Sequence, residues 1–384
     1  MGRARAQSHT ARISYGPRYL LVDWSDGHQS GYDAIWLWDN APMHRDQSNG
    51  QRLIDVTDIP EDPLIASAEV QSHHLVVSWA GANSSSHYEL IWLRENCYCG
   101  LDALRPASPV VLWRAADSAW LTRIDADEIW RSEHIRHSWL MAVALQGIAF
   151  LRGAPRREGL VLELARLIGF VRETNYGRIF DVRASARPNN LAYSDLALGL
   201  HTDNPYRDPV PGLQMLHCLR PSEAGGASLF ADGFAVAESL RSDDPVAFST
   251  LSQTPMTFSF SDTTAQFSAR RPLIQLDLQG RIEAIHYNSR SIVPLRLRSA
   301  EMVRFYRAYR AFSRRLHSSE FLFETRLDAG DIVLFDNRRV LHGRTAFNTT
   351  GATRHLQGCY LDRDGMLSTI AILERKLAGN EYRG

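Results

Sequence analysis

A histidine and an aspartate separated by one residue, His201 and Asp203, stand in the segment GLHTDNPYRDPVPGLQMLHC. On an extended backbone, residues i and i+2 point to the same side, so an imidazole nitrogen and a carboxylate oxygen can bind one cation. A further histidine, His342, follows the apolar run of GDIVLFDNRRVLHGR. Two histidines and one carboxylate leave the other coordination positions of a metal open, which is the arrangement of non-haem iron(II) oxygenases. All three are therefore predicted iron ligands and catalytic residues, although a lone His-x-Asp pair also occurs by chance.

An arginine suggests the co-substrate. Arg354 follows His342 by twelve residues, on the next predicted strand. A guanidinium binds a carboxylate through two parallel hydrogen bonds, which suits it better than lysine. A 2-oxo acid that chelates iron through its keto-acid end leaves its distal carboxylate for such an arginine. Considered without its context, Arg354 is more simply explained by an ordinary surface ion pair.

The composition is that of a globular protein. Of the 384 residues, 44% are hydrophobic and 22% are charged, and Lys+Arg and Asp+Glu are equal at 43 each. This balance argues against a nucleic-acid partner, and no apolar run approaches the ~20 residues of a membrane span. Residues 1–14 are basic without a following apolar core, so a loose tail is expected rather than a secretory signal. The four cysteines indicate no disulfide scaffold and favour a reducing, cytoplasmic setting.

Residues 15–115 are predicted to form a small β-rich domain with an internal near-repeat. YLLVDWSDGHQSGYDAIWLWDN at 19–40 resembles HLVVSWAGANSSSHYELIWLREN at 74–96. In each copy a β-rich run ends in Trp, a polar turn follows, and a Tyr precedes Ile-Trp-Leu, which is typical of hairpins. Because aromatic residues at repeated positions usually pack inside, the predicted core includes Trp24, Trp36, Trp79 and Trp92.

Residues 116–384 are predicted to form a larger, mainly β domain with flanking helices. Apolar spacing predicts helical segments at 160–171 and at 302–316, the second with Ser299 as its N-cap. Short β-like runs lie around them. Many strands with few helices favour a double-stranded β-helix, or jelly roll, with helices packed outside.

These segments resemble the TauD/TfdA group of 2-oxoglutarate dioxygenases and, within it, the γ-butyrobetaine and trimethyllysine hydroxylases. The resemblance covers about residues 20 to 370 in the same order. It is carried by IWLWDNAP, GIAFLRG, NNLAYSDLALGLHTDNPYRDPVPGLQMLHC, GGASLFADGF, GDIVLFDNRRVLHGR and TRHLQGCYLDRDG.

The resemblance implies an O₂-dependent hydroxylase that converts 2-oxoglutarate to succinate and CO₂. Iron(II) would be bound by His201, Asp203 and His342, with ascorbate as a candidate stimulant and a homodimer as the expected assembly. The residues implied for 2-oxoglutarate are Arg354, Ser228 and Leu216.

The N-terminal domain departs from this family in its cysteines. The hydroxylases bind zinc there through cysteines just after the first Ile-Trp-Leu motif, and those places hold Ala41, Met43 and Asp46 here. The second copy has Cys97 and Cys99, but two thiolates do not complete a four-ligand zinc site. A structural zinc is therefore not expected, and hydrophobic packing would replace it.

The relatives bind trimethylammonium groups, which cannot donate hydrogen bonds and are held by aromatic faces. By motif position, Tyr176, Tyr193 and Tyr360 match this aromatic cage, and Phe180 stands where a Trp is expected. Tyrosines at such places can also be ordinary core residues. The motif match favours the cage.

The anionic end of the substrate is predicted from amide and guanidinium donors. Asn204 replaces a Tyr of the butyrobetaine enzymes, Asn190 and Asn288 match amide positions of the hydroxylases, and Arg290 follows. Such donors suit an anion with three oxygens better than a carboxylate. The pattern is similar to the subgroup member that hydroxylates 2-(trimethylammonio)ethylphosphonate in organophosphonate catabolism, and this substrate is favoured.

Two alternatives remain. γ-Butyrobetaine, hydroxylated to carnitine, is the second substrate. A metal- or ligand-binding sensor without turnover is the alternative of another class, and succinate formation distinguishes it from an enzyme.

Overall fold

The structure is a computed structural model that describes residues 11–82, 84–98, 110–183, 195–347 and 354–380. The chain divides into two compact units, Met1–Pro106 and Ala107–Gly384. Among the described residues, no helix is both long and apolar enough to cross a bilayer.

The first unit contains two three-stranded antiparallel sheets, each followed by a short helix. Residues 11–14, expected in a loose tail, instead belong to a strand that pairs with the next one, with Ile13 opposite Val22. The described elements are β1 Ala11–Tyr15, β2 Tyr19–Trp24, β3 Gln29–Asp33, α1 Ala34–Asp39, β4 Ile65–Gln71, β5 His74–Trp79, β6 Ser85–Glu89 and α2 Leu90–Glu95, with 3-10 turns at Pro42–His44 and Val56–Asp58.

The tryptophans of the two repeat copies differ in depth. Trp24 and Trp79 are buried, and their indole N–H groups donate to the hydroxyls of Ser30 at 2.7 Å and Ser86 at 2.9 Å. Trp36 and Trp92 are only half-buried and pack against each other with ring centroids 5.6 Å apart. Each buried indole therefore has its polar group satisfied inside its own copy.

The two copies also exchange hydrogen bonds. The buried hydroxyl of Tyr32 donates to the carbonyl of Leu93 at 2.6 Å, and that of Tyr88 donates to the carbonyl of Leu37 at 2.6 Å. Leu37 lies in α1 and Leu93 in α2, so each copy supplies a donor to a carbonyl in the other's helix. Carbonyls near a helix end lack partners within the helix and need such donors.

The three positions at which the related hydroxylases have zinc-binding cysteines hold other residues here. Ala41 is fully buried and Met43 is exposed. The carboxylate of Asp46 accepts the backbone N–H groups of Ser48 and Asn49 and so holds a turn. Cys97 is disulfide-bonded, and Cys99 lies outside the described residues. Whether zinc is bound in this unit stays a prediction.

The second unit contains two large sheets and the helices that cover them. Its strands are β7 Arg123–Asp125, β8 Ile148–Arg152, β9 Val171–Arg172, β10 Phe180–Arg183, β11 Leu198–His201, β12 Leu213–Arg220, β13 Ser228–Asp232, β14 Met256–Ser261, β15 Gln266–Arg271, β16 Ile274–Leu276, β17 Ile282–Ile285, β18 Phe323–Thr325, β19 Ile332–Asp336, β20 Val340–Arg344 and β21 His355–Leu361. Its helices are α3 Ala126–Arg131, α4 Glu133–Gln146, α5 Leu160–Ala165, α6 Gly233–Asp243, α7 Pro245–Gln253, α8 Ser299–Leu316 and α9 Arg363–Asn380, with 3-10 turns at Ala115–Trp120 and Ser289–Ser291.

The strand order is that of a jelly roll. One sheet runs β10-β21-β12-β19-β8-β7, with β9 also paired to β21, and the other runs β11-β20-β13-β18. A core that includes Phe230, Phe335 and Leu356 joins strands of both sheets. Helices α4, α5 and α9 pack on the far side of the first sheet, and α6, α7 and α8 pack on the second. The predicted fold class, mainly β with flanking helices, is confirmed.

The central strands β12 and β21 have two distinct faces, because side chains alternate across a strand. We call the face that carries Leu216, Leu356 and Tyr360 the pocket face. The opposite face, which carries Met215 and Leu361 against the helices, is the back face.

Two details differ from the sequence expectations. The segment at 110–115, expected in the first domain, packs with the second unit: Trp113 is buried there and its backbone N–H donates to Asp232 at 3.1 Å. Asp232 also forms a buried ion pair with Arg339 at 2.7 Å. Helix α8 begins at Ser299, so Arg298 and not Ser299 is its N-cap residue.

Candidate active site

Two histidines of the predicted iron site are brought together by strand pairing. His201 ends β11 and lies directly opposite His342 of β20 in the antiparallel register. Cross-strand neighbours in this position have Cβ atoms about 5 Å apart, and the two imidazole centroids are 4.3 Å apart. Both side chains are buried.

Asp203 completes a compact group of three ligand atoms. Its Oδ1 is 3.2 Å from Nε2 of His201, and its Oδ2 is 3.7 Å from Nε2 of His342. The three ligand atoms all lie within 4.8 Å of one another. Ligand atoms about 2.0–2.2 Å from one metal ion lie about 3–4 Å apart, and the two distances from Asp203 fit this spacing.

The protonation of these groups also fits a cation. Nδ1 of His201 lies 2.8 Å from the carbonyl of Gly199, so it carries the proton and leaves Nε2 as the free ligand atom. Burial is the main cause that lowers the pKa of His342, to about 3, so its imidazole is neutral at neutral pH. Burial would raise the pKa of Asp203, but the surrounding imidazoles and the hydroxyl of Tyr360 outweigh it and hold that pKa well below its usual range. A neutral imidazole beside an ionised carboxylate is what a divalent metal requires.

Two residues fix Asp203 from different sides. The buried amide of Asn337 accepts the backbone N–H of Asp203 at 2.7 Å and donates to its carbonyl at 3.1 Å. The hydroxyl of Tyr360 donates to Oδ2 of the carboxylate at 2.7 Å. Asn337 stands in the turn between β19 and β20, so it also connects Asp203 to the strand that carries His342.

The three ligand residues lie in the wall of a cavity of about 440 Å³. Asn190 and Tyr193 lie outside the described residues. Every other residue predicted for the site lines this cavity: Tyr176, Phe180, Asn204, Leu216, Ser228, Asn288, Arg290, Arg354 and Tyr360.

One part of the cavity wall is strongly cationic. Arg354 is only 5% exposed, and no carboxylate among the described residues pairs with it. Arg344 is equally buried, and burial, together with the charges of Arg354 and Arg290, lowers its pKa to about 10. Among the described residues that line the cavity, Asp203 is the only acid. Because a buried charge needs a partner, Arg354 favours an anionic ligand such as a dicarboxylate.

Ser228 lies beside these arginines, and Leu216 lines the same cavity. Ser228 of β13 is directly opposite Arg344 of β20, and Leu216 of β12 is opposite Gly358 of β21. Their positions suit the contact with 2-oxoglutarate that the resemblance implied. Their role stays a prediction.

The aromatic residues form the other part of the wall. The rings of Phe180 and Tyr360 have centroids 4.9 Å apart. Phe180 of β10 lies opposite Gly358, where a Cβ atom would come within 2.7 Å of its ring. The glycine therefore makes the room that lets Phe180 lie against the pocket face.

Sequence reasoning missed two aromatic residues of the cavity, Tyr206 and Phe260. Their rings stack with centroids 5.2 Å apart. The Tyr206 hydroxyl lies 3.3 Å from that of Tyr176 and donates to Oδ1 of Asn204 at 2.7 Å. Tyr206 follows Asp203 by three residues, which was an available signal. Phe260 comes from the separate β14–β15 hairpin, and nothing in its local sequence points to the cavity.

Arg344 was also missed, although its signal was present. It follows His342 by two residues on a strand, so both side chains point to the same side. Alternation along β20 was enough to place a guanidinium beside the metal ligands.

A jelly roll with two histidines and a carboxylate on its inner wall, next to buried arginines, defines a non-haem iron oxygenase with an anionic co-substrate. The chain belongs to the taurine catabolism dioxygenase TauD, TfdA family, whose model matches residues 113–360. It is an Fe(II)- and 2-oxoglutarate-dependent dioxygenase, as the sequence predicted.

Curated relatives cover nearly the whole chain. A γ-butyrobetaine dioxygenase of Pseudomonas sp. strain AK-1 is 37% identical over 93% of this chain and 94% of its own. The human γ-butyrobetaine dioxygenase is 29% identical over 94% and 96%, respectively. The mitochondrial trimethyllysine dioxygenase of Rattus norvegicus is 30% identical over 89% and 82%. The predicted resemblance to these two hydroxylases is confirmed. No relative among these three is named for a phosphonate.

Proposed function

We propose that the enzyme hydroxylates a small molecule with a trimethylammonium group at one end and an anion at the other, and that γ-butyrobetaine is its substrate. The observation that carries the proposal is the cavity itself, which has aromatic rings on one part of its wall and amide and guanidinium donors on another, with the candidate metal ligands also in the wall. The 37% identity to a γ-butyrobetaine dioxygenase supports this carboxylate over the phosphonate that the sequence motifs favoured.

We assign the iron ligands as His201, Asp203 and His342. Iron(II) bound there would activate O₂, which is the oxidant: one oxygen atom would go to the hydroxylated C–H bond and the other to the succinate formed, with CO₂, from 2-oxoglutarate. Arg354, together with Ser228 and Leu216 of the same cavity wall, binds the distal carboxylate of 2-oxoglutarate. The apolar walls exclude water from the reacting carbon.

The aromatic end is assigned to the cationic group. The faces of Tyr176, Phe180 and Tyr360, together with Phe260, offer their quadrupoles to a quaternary ammonium ion. Such a contact contributes about 0.5–2 kcal/mol per well-placed ring. It cannot distinguish between two substrates that share the cation.

The anionic end is assigned to Asn204, Asn288 and Arg290. The Nδ2 group of Asn204 is buried and has no partner among the described residues, while its Oδ1 is fixed by Tyr206. Asn288 is buried, with one amide hydrogen donated to the carbonyl of Thr202 at 3.2 Å. An unpaired buried donor costs about 1–3 kcal/mol until a ligand accepts from it.

That spare donor also keeps the phosphonate as a second candidate. A phosphonate has three acceptor oxygens and a carboxylate has two, so an additional donor at Asn204 would be used more fully by the phosphonate. A cytoplasmic location and a homodimer, both expected from the sequence, also belong to this proposal. Light scattering on the purified enzyme measures its oligomeric state.

Substrate-dependent O₂ uptake and succinate formation test the proposal. γ-Butyrobetaine should be turned over, and its uncharged tert-butyl analogue should show at least a ten-fold lower kcat/KM because the cation is missing. In a competition assay, preference for 2-(trimethylammonio)ethylphosphonate would replace γ-butyrobetaine by the second candidate. Absence of succinate with every trimethylammonium compound would favour a binding module without turnover.

A variant pair tests the anionic end separately. Arg290→Ala should raise the KM for γ-butyrobetaine about ten-fold or more but leave the weak use of butyltrimethylammonium, which has no anion, unchanged. The control is Arg296→Ala, an exposed arginine of the same segment. Equal effects on both substrates would show that Arg290 does not contact the anion.

A further inference from the structure

We infer that Tyr360 is a positioning residue for the metal ligand Asp203: its hydroxyl holds one carboxylate oxygen so that only the other is presented to the metal. The inference rests on the proposed ligand role of Asp203. It adds to the aromatic role of the Tyr360 ring a separate role for its hydroxyl.

The distances separate the two carboxylate oxygens. Oδ2 of Asp203 is 2.7 Å from the hydroxyl of Tyr360 and 3.7 Å from Nε2 of His342. Oδ1 is 3.2 Å from Nε2 of His201. Ligand atoms about 2.1 Å from one metal at right angles lie about 3 Å apart, so Oδ1 has the better position for coordination. Oδ2 has the phenol as its partner.

The donor itself is held firmly. Tyr360 is 4% exposed and belongs to β21, which is paired with β12 on one side and with β10 and β9 on the other. The backbone of Asp203 is fixed by Asn337. The carboxylate can therefore turn only about its own side-chain bonds, and the hydroxyl of Tyr360 is the group that opposes this rotation.

The rotation matters because the co-substrates need open positions. A six-coordinate metal with three protein ligand atoms keeps three positions, two for a chelating 2-oxo acid and one for O₂. If the carboxylate turned and bound through both oxygens, one of these positions would be lost. Hydrogen bonds to metal ligands contribute ten- to a hundred-fold in metal affinity or activity.

Tyr360→Phe separates the two roles of the residue, because it removes the hydroxyl and keeps the aromatic face. The matched control is Tyr287→Phe. Tyr287 is 6% exposed, does not line the cavity, and its hydroxyl donates to Ser313 at 3.0 Å. Both variants lose one phenolic hydrogen bond, and only one of those bonds goes to Asp203.

Binding of Mn(II), followed by electron paramagnetic resonance of the metal-free full-length protein, gives a readout independent of turnover. Tyr360→Phe should raise the Kd for Mn(II) about ten-fold and alter the spectrum of the bound ion, whereas Tyr287→Phe should change neither. In the turnover assay, Tyr360→Phe should form more succinate per hydroxylated product, with the KM for the cationic substrate within about two-fold of wild type.

A Kd for Mn(II) within two-fold of wild type in Tyr360→Phe would overturn the inference, and so would an equal loss in Tyr287→Phe. Failure of the proposed function looks different. If γ-butyrobetaine is not a substrate, the wild-type protein still binds Mn(II), and the comparison of the two variants still decides the role of Tyr360.

Discussion

The pocket face and the back face of β21 carry different kinds of polar residue only one position apart. The pocket face presents Leu356 and Tyr360 to the cavity, and Arg354, immediately before the strand, continues the same alternation. The back face presents His355 and Gln357 beside the apolar residues that pack under the helices. Alternation along one extended strand thus supplies both a binding surface and a structural surface.

The two faces differ in how their polar groups are satisfied. On the back face, the carboxylate of Asp181 accepts from Nε2 of His355 at 2.7 Å and from Nε2 of Gln357 at 3.0 Å, and Oε1 of Gln357 accepts from the backbone of Gly159 at 2.6 Å. On the pocket face, Arg354 has no carboxylate partner among the described residues. Buried polar groups that are paired within the protein stabilise it, and those left open in a cavity are available to a ligand. Substitutions on the two faces should therefore affect different properties.

The largest effect is expected on the pocket face. Arg354→Ala should raise the 2-oxoglutarate concentration needed for half-maximal turnover by two to three orders of magnitude, because a desolvated bidentate ion pair worth about 3–4 kcal/mol is lost. Its melting temperature should not fall, since a buried charge is removed. Steady-state kinetics and calorimetry measure both, with the exposed Arg304→Ala as control. An unchanged 2-oxoglutarate requirement would assign the co-substrate to another residue.

The next effect is expected on the back face. Leu361 is fully buried in the core beneath the helices. Leu361→Ala should lower the free energy of unfolding by about 3 kcal/mol through a lost side chain and the cavity left behind. Activity per folded molecule should stay within about two-fold. Urea denaturation measures the free energy of unfolding, and Leu278→Ala, at a fully exposed residue, is the control. A large change in kcat without loss of stability would break the division between the faces.

The smallest expected effect is a pH dependence of stability, and it comes from a back-face histidine whose ring has no hydrogen-bond partner among the described residues. His217 is fully buried, and neither of its ring nitrogens has a partner among the described residues; burial is the main cause that lowers its pKa to about 4. The unfolded chain, with an ordinary histidine pKa near 6.5, then binds more protons than the folded protein between about pH 6.5 and 4. Stability is therefore lost as the pH falls through this window, by about 2 kcal/mol between pH 7 and pH 5.

His217→Leu should remove that part of the pH dependence, measured by urea denaturation at both pH values. His317→Leu, at an exposed histidine, should leave it unchanged. Contributions from other buried histidines are common to all three proteins and cancel in the comparison. If the free energy of unfolding changed equally with pH in wild type and His217→Leu, a water molecule inside the sheet would have to hydrogen-bond the ring of His217.

The pocket face could be predicted because its signals are periodic. The placement of His201, Asp203, His342 and the alternating residues of β21 follows from strand geometry, and the family motifs indicated their partners in the cavity. Phe260 could not be found in this way, because only the folded chain brings the β14–β15 hairpin to the cavity. The segment at 110–115 also has strand-like composition, but its attachment to Asp232 and Arg339 depends on residues more than a hundred positions away.

The reciprocal bonds of Tyr32 and Tyr88 give the first unit the form of a two-fold symmetric dimer within one chain. In such an isologous contact the same surface of each half binds its counterpart. The carbonyls of Leu37 and Leu93 each accept a phenolic hydrogen bond across this internal axis, from Tyr88 and Tyr32 respectively. Neither half alone contains both the donor and the acceptor of either hydrogen bond, so the two halves should fold as one cooperative unit. A chain cut between β3 and β4 should therefore need both fragments to regain structure.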